Sequence, residues 1–178
     1  MESEQSLVKH ICKGDRAAMQ RLYNLYVGHV TAVAMRYVAD RDAAQDVLQD
    51  SFVKIFTRMG DFEYRGSGSL KAWMTRIVMN ESLSYLKNHA KLIYTDALPD
   101  EPEADPPVEK VPPSVLQKMI EGLPPGYRTV INMYVFEQKS HKEIAQALGI
   151  KESSSASQYL RAKKILAKEI KEYIKRRQ

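Results

Sequence analysis

Three sets of side chains in this sequence have types and spacings that suit binding chemistry. Asp42, Asp46 and Asp50 recur at four-residue steps, with Gln45 and Gln49 beside them. On a helix such a row makes one acidic face, which either meets water or docks a basic partner helix. Carboxylates along one helix do not converge, which argues against a metal site. Trp73, Arg76, Asn80, Ser84, Lys87 and Lys91 form a second row, within a sector of about 80 degrees at roughly 100 degrees per residue. An aromatic, an amide and several cations on one stripe suit nucleic acid, where bases stack and phosphates pair. The competing assignment makes Trp73 a core anchor and leaves the cations in water. Just upstream, Phe62, Tyr64 and Arg65 precede Gly66 and Gly68. Such a loop could hold an unstacked base, or it is a surface loop with Phe62 folded under it.

The third set lies near the C-terminus. Ser140 and Glu143 stand three apart, the spacing of a capping box, and Ile144, Ala145 and Leu148 follow as a buried face. Gly149 supplies a left-handed helix end, and a second helix starts in Ser153-Ser154-Ser155. Two short helices around a tight glycine turn predict a helix-turn-helix. On the second helix Tyr159, Ala162, Leu166, Ile170 and Tyr173 can pack inward. Ser154, Ser157, Gln158, Arg161, Lys164 and Lys168 are expected outward. Hydroxyl, amide and guanidinium groups followed by lysines match base edges and phosphates of a major groove. The alternative is a solvated amphipathic helix with a basic tail.

Helices must position all three sets. The periodicity predicts one from Gly14-Asp15 to about Ala39, with Met19, Leu22, Tyr23, Tyr26, Val30, Val33 and Tyr37 as its apolar stripe. A second follows Asp40, with Leu48, Phe52, Ile55 and Met59 on one face, and Ser69 is the expected N-cap of a third that runs to about Lys91. Beyond residue 113, helices fit 114–121, 126–136, 140–148 and 153–175. No stretch alternates with period two for long enough to predict a strand, so the fold class is all-α.

Proline and charge divide the chain. Residues 93–113 hold six of the eight prolines and six acids against one base, Lys110. Proline density forbids helix and acid repulsion extends the chain; in polyproline form at about 3.1 Å per residue the segment could reach roughly 65 Å. It joins a domain at 1–92 with net charge +3 to one at 114–178 with net charge +7. The expectation is two small helical domains, an N-terminal bundle and a C-terminal helix-turn-helix, on an extended acidic linker. Apolar residues at 44% and charged residues at 28% fit a globular chain. No run of 18 apolar residues occurs, so no membrane insertion is expected. The polar start, Met1 to Gln5, does not read as a signal peptide. One cysteine, Cys12, excludes a disulfide framework, suits a cytoplasmic protein and is expected to be a small buried hydrophobe. No phosphate-binding glycine motif and no metal-ligand histidine spacing is present, so no cofactor and no metal is expected.

Residues 42–56, Asp-Ala-Ala-Gln-Asp-Val-Leu-Gln-Asp-Ser-Phe-Val-Lys-Ile-Phe, resemble the second region of bacterial RNA polymerase sigma factors. So does the stretch from Phe62 through Gly-Ser-Leu-Lys-Ala-Trp-Met-Thr-Arg-Ile-Val-Met-Asn at 68–80. Residues 123–131, Leu-Pro-Pro-Gly-Tyr-Arg-Thr-Val-Ile, and 142–150, Lys-Glu-Ile-Ala-Gln-Ala-Leu-Gly-Ile, resemble the fourth region. Two regions joined directly resemble the layout of the extracytoplasmic-function (ECF) group.

The resemblance implies a promoter-specificity subunit and no catalysis. It implies that Asp46, Gln49 and Asp50, with Asp42 on the same face, grip the polymerase's largest subunit. Phe62, Trp73, Arg76 and Asn80 would open and read the minus-ten element, with Tyr64, Arg65 and Lys87 alongside. Ser154, Ser157, Gln158, Arg161 and Lys164 would read the minus-thirty-five element. Core RNA polymerase and promoter DNA are the implied partners, and an anti-sigma factor is common in the group. Many relatives carry basic residues where this chain has Ala156 and Gln158, so the phosphate contribution there should be smaller. The rival readings are a one-component helix-turn-helix regulator, a metal-dependent nucleic-acid enzyme built on the acidic row, and an adaptor that binds polymerase but no DNA sequence.

Overall fold

The computed structural model describes residues 3–89 and 105–177. All regular structure among them is helical, and the chain divides into two compact units, Met1–Asn88 and His89–Gln178.

In the first unit, α1 (Glu4–Cys12) precedes α2 (Arg16–Tyr37), α3 (Arg41–Thr57) and α4 (Ser69–His89). Short acceptors start these helices: the Asp15 carboxylate accepts from the Ala17 and Ala18 amides, and Asp40 accepts from Ala43. Both satisfy amides that the first helical turn leaves open. α2 packs on α3, and α1 packs on α2 and on the 3-10 turn Met59–Asp61. Leu22, Val30, Val33, Tyr37, Ile55, Met59, Leu70, Met74 and Val78 are buried as the core. A hydrogen bond between His29 Nε2 and Thr75 Oγ1 (2.8 Å) ties α2 to α4. A Lys54–Glu81 ion pair (2.6 Å) ties α3 to α4.

Three details of this unit differ from expectation. Helix α1 was not anticipated: Ser3 caps it through the Ser6 amide, and Leu7 and Ile11 anchor it. Cys12 is exposed, not buried, because Ile11 takes the inward position and the next residue lies about 100 degrees further round. Tyr23, expected in the core stripe, is 41% exposed.

The second unit contains α5 (Pro113–Gly122), α6 (Pro125–Ile131), a π-helical turn (Asn132–Phe136), α7 (His141–Leu148) and α8 (Glu152–Lys175). Helices α5, α6 and α7 all pack on α8. Ile120, Leu123, Ile131, Ala162 and Leu166 form its core cluster. The anticipated capping box is complete: Ser140 Oγ accepts from the Glu143 amide, and the Glu143 carboxylate accepts from the Ser140 amide. Gly149 ends α7 at φ +68, a left-handed conformation that costs glycine little.

Arg128 organises the α5–α6 turn from within. It is buried, and its Nη1 donates to the carbonyls of Glu121 (2.6 Å) and Leu123 (3.3 Å). Burial lowers its pKa from the ordinary arginine value, and the nearby Glu121 opposes that shift.

Residues 93–104 of the expected linker lie outside the described residues. Its C-terminal end is not simply extended. Val108–Lys110 form a 3-10 turn, Val111 is buried, and Asp105 pairs with Lys163. Val111 gives that end a buried apolar foothold in the second unit, so chain extension by proline does not persist there.

Candidate polymerase and nucleic-acid interfaces

Asp42, Asp46, Gln49 and Asp50 are all exposed on α3. The row keeps its carboxylates apart, and no group of three or more histidine, cysteine or acidic residues among the described residues could hold a metal. Beside the row lies an open groove of about 610 Å³ between α2 and α3. Tyr23, Val27, Leu48, Gln49, Phe52, Val53 and Phe56 are among its lining residues. The rings of Tyr23 and Phe52 stand 4.8 Å apart, and Val53 is 61% exposed. An apolar trough bordered by carboxylates can take a helix that is apolar on one side and basic on the other. The sequence showed the charged border. It hid the trough, because Tyr23 and Phe52 carry the spacing of core residues.

The loop before α4 brings a second set together. The Phe62 and Trp73 rings lie 5.6 Å apart at 59 degrees, both partly buried. They line a pocket of about 370 Å³ with Asp61, Glu63, Arg65, Ser69, Ala72 and Arg76. Trp73 therefore shares the character of core anchor and open stacking face. Ser69 does not cap α4. Its hydroxyl turns back, donating to the Gly66 carbonyl (2.7 Å) and accepting from the Arg65 amide (3.2 Å). Gly66 and Gly68 take φ +114 and +83, values that favour glycine. Arg65 pairs with Glu63 at 3.0 Å, with both side chains more than three-quarters exposed. An ion pair so exposed adds little stability and leaves the guanidinium available to a stronger anion. Arg76, Asn80 and Lys87 are exposed along α4, and Tyr64 is 42% exposed outside the pocket lining.

On α8 the expected outward set divides. Arg161 is partly exposed, and Lys164 and Lys168 are exposed. Ser154, Ser157 and Gln158 are buried, the last two completely. The cause is a row at four-residue steps: Ser154, Gln158, Ala162, Leu166 and Ile170 are all buried, so the apolar seam continues through two polar residues. The Ser157 hydroxyl donates to the Ser154 carbonyl at 3.1 Å. Neither amide atom of Gln158 has a hydrogen-bond partner among the described residues. Next to this row, Ser155 Oγ meets His141 Nδ1 at 3.0 Å, and His141 stacks on Tyr134 at 4.7 Å. Burial lowers the His141 pKa, with Glu152 opposing.

Residues 22–92 match the family model for sigma-70 region 2, and residues 114–166 match that for sigma-70 region 4. The RNA polymerase sigma-H factor of Pseudomonas aeruginosa is 28% identical, over 94% of this chain and 93% of that one. The ECF RNA polymerase sigma-E factor of Escherichia coli K12 is 26% identical, over 98% and 97%. Among solved structures, CnrH in complex with the cytosolic domain of CnrY shares the fold at TM-score 0.52 and 19% identity, covering 96% of this chain and 99% of that one. The sigma factor RpoE of Bartonella quintana, in complex with the anti-sigma factor NepR, does so at TM-score 0.52 and 20% identity, covering 85% and 96%. With both sigma-70 regions matched in order and relatives aligned over nearly the full length, the chain belongs to the sigma-70 family, as a sigma factor of the extracytoplasmic-function type.

Proposed function

We propose that the chain acts as a promoter-specificity subunit, with no reaction of its own, and divides the work between its two units. The carrying observation is the pairing of a stacking pocket with a cationic helix in the first unit. Phe62 and Trp73 offer two aromatic faces beside Arg65 and Arg76. A base expelled from a melting duplex needs such a site, because unstacking it costs a few kcal/mol that new stacking must offset. Arg76, Asn80 and Lys87 then follow the adjoining strand, with Tyr64 exposed on the same loop.

Asp42, Asp46, Gln49 and Asp50, beside the Tyr23–Phe52 trough, would dock the largest subunit of core RNA polymerase. The trough supplies apolar burial and the acidic border supplies register. An anti-sigma helix of similar chemistry would compete for that face. In the second unit Arg161 and Lys164 would meet the duplex first, and their attraction is electrostatic and salt-dependent. Ser154, Ser157 and Gln158 would contact base edges once uncovered. The protein would work in the cytoplasm, and no helix among the described residues is long and apolar enough to cross a membrane.

Transcription in vitro tests the proposal. Sigma-free core polymerase, fragmented DNA from the source organism and the purified chain should yield discrete start sites that share an upstream motif. Absence of such starts, with site-specific DNA binding by the chain alone, would favour a one-component regulator.

A further inference from the structure

Helix α1 lies wholly before residue 22, where the match to sigma-70 region 2 begins. It nevertheless touches the pocket loop. The Glu4 carboxylate Oε1 accepts from the Gly68 amide at 3.3 Å, across 64 positions of sequence. The same oxygen accepts from the Tyr26 hydroxyl at 3.3 Å. Leu7 and Ile11 are buried and fix α1 against α2 and the Met59–Asp61 turn, so the carboxylate is presented from a packed element. Burial raises the Tyr26 pKa, with the neighbouring Glu4 charge adding to it, as expected of a phenol held beside an anion.

The loop needs such a restraint. Residues 63–65 and 67–68 are exposed, and two glycines with positive φ flank Ser67. Ser69 secures Gly66 and Arg65 from the start of α4. The Glu4 bond secures the other glycine from a different helix. A hydrogen bond from an amide to a carboxylate is stronger than a neutral one, and here it fixes the peptide one residue before α4 starts.

We propose that Glu4 is a positioning residue for the pocket: α1 carries its carboxylate to the Gly68 amide and so holds the 62–68 loop where Phe62, Trp73 and Arg76 enclose a common space. The role rests on the reading of that pocket as the site for an expelled base. It does not require Glu4 to touch DNA. Glu4 thereby makes base capture depend on a helix that precedes the matched region.

The chain has a single tryptophan, Trp73, so its fluorescence reports on the pocket directly. Full-length Glu4→Ala, Glu4→Gln and Tyr26→Phe should be compared with the parent in two assays. One is acrylamide quenching of Trp73 in the free protein. The other is permanganate reactivity of melted thymines, with core polymerase on a promoter mapped by the transcription experiment. Glu4→Ala should raise the quenching constant and reduce open complex by about three- to tenfold, the effect of one hydrogen-bonded anchor, at unchanged affinity for core. Glu4→Gln should restore most of both, because its amide carbonyl still accepts from Gly68, though as a neutral and weaker acceptor. Tyr26→Phe, which deletes one hydroxyl, should fall between.

Wild-type quenching and opening in Glu4→Ala would overturn the proposal. So would a Glu4→Gln variant as impaired as Glu4→Ala, or loss of core affinity in parallel with opening, since either points to general support of the fold. Phe62→Ala and Arg76→Ala separate the two ideas. If they leave opening intact, the pocket reading fails, and Trp73 quenching alone then decides whether Glu4 orders the loop.

Discussion

Arg128 offers a quantitative test of how the second unit is held together. Arg128 is 6% exposed, and its guanidinium donates to two carbonyls at the α5–α6 turn. Arg128→Met keeps an unbranched apolar stem and removes the donors. Two carbonyls, that of Leu123 buried and that of Glu121 partly buried, then lose a charged partner. Hydrogen bonds to a charged group are worth about 1.5–3 kcal/mol each, and an orphaned buried acceptor costs roughly 1–3 kcal/mol. Against this, the variant no longer buries a charge, which is itself unfavourable. The expected net loss is about 2–4 kcal/mol. At roughly 4–8 °C per kcal/mol for a unit of this size, the Tm should fall by about 10 °C or more. Urea unfolding followed by far-UV circular dichroism measures the loss in the helices of both units. Trp73 fluorescence follows the first unit alone, because the chain's one tryptophan lies there. A loss under about 0.5 kcal/mol would refute the reasoning, since surface substitutions away from such contacts commonly fall in that range.

Asp50→Lys should weaken assembly with core polymerase by charge reversal on the α3 face; retention of full affinity, measured by competition against another sigma factor, would return the row to plain solvation. Arg161→Ala should weaken upstream-element binding of the polymerase complex by roughly 1–3 kcal/mol if the side chain reaches a guanine, and unchanged affinity in gel-shift titration of that complex would remove it from the reading surface. Gln158→Leu should stabilise the free protein by about 1–3 kcal/mol by removing a buried amide without partners, while reducing promoter discrimination; a destabilised variant would show that the amide is satisfied. Burial lowers the pKa of His29, with Lys71 and Arg36 adding, and of His141. Both fold best neutral. Their contribution is present above the ordinary value of 6.5 and is lost as pH falls from there toward the depressed folded values. Urea unfolding between pH 5 and 7 should therefore show stability rising with pH, and His29→Gln with His141→Gln should flatten that slope.

Much of the architecture was legible because local signals agreed with one another. Asp15, Asp40, Ser140 with Glu143, and Gly149 each mark a helix boundary by their own chemistry, and the structure uses all four. The Phe62–Trp73 pair was legible as two candidate residues, although not as neighbours. Contact between them needs the loop geometry that Gly66, Gly68 and Ser69 impose. Helix α1 was missed because its nine residues carry a short apolar pattern, Leu7, Val8 and Ile11, in a polar start. The apolar trough was missed for another reason. Spacing places Tyr23 and Phe52 toward a partner, and here the α2–α3 groove leaves part of that face unfilled.

The start of α8 shows a more general limit. A helical wheel states the direction in which a residue points, but the width of the covered arc depends on what packs there. Polar residue type argued for an exposed Ser154 and Gln158, while their four-residue phase with Ala162, Leu166 and Ile170 argued for burial, and phase won. A buried amide without partners conflicts with the rule that buried polar groups are satisfied, and such conflicts concentrate at functional sites. Gln158 gains hydrogen bonds only when it leaves this environment, and base edges offer both a donor and an acceptor. If α8 is the recognition helix as proposed, a surface built this way would resist contact with arbitrary DNA in the free chain, since exposed cations such as Lys164 would give only a weak, salt-sensitive hold. Raising salt should therefore weaken DNA binding by the free chain steeply and without regard to sequence, whereas sequence discrimination should emerge only in the complex with polymerase. Sequence-specific binding by the isolated chain at high salt would contradict this view of α8.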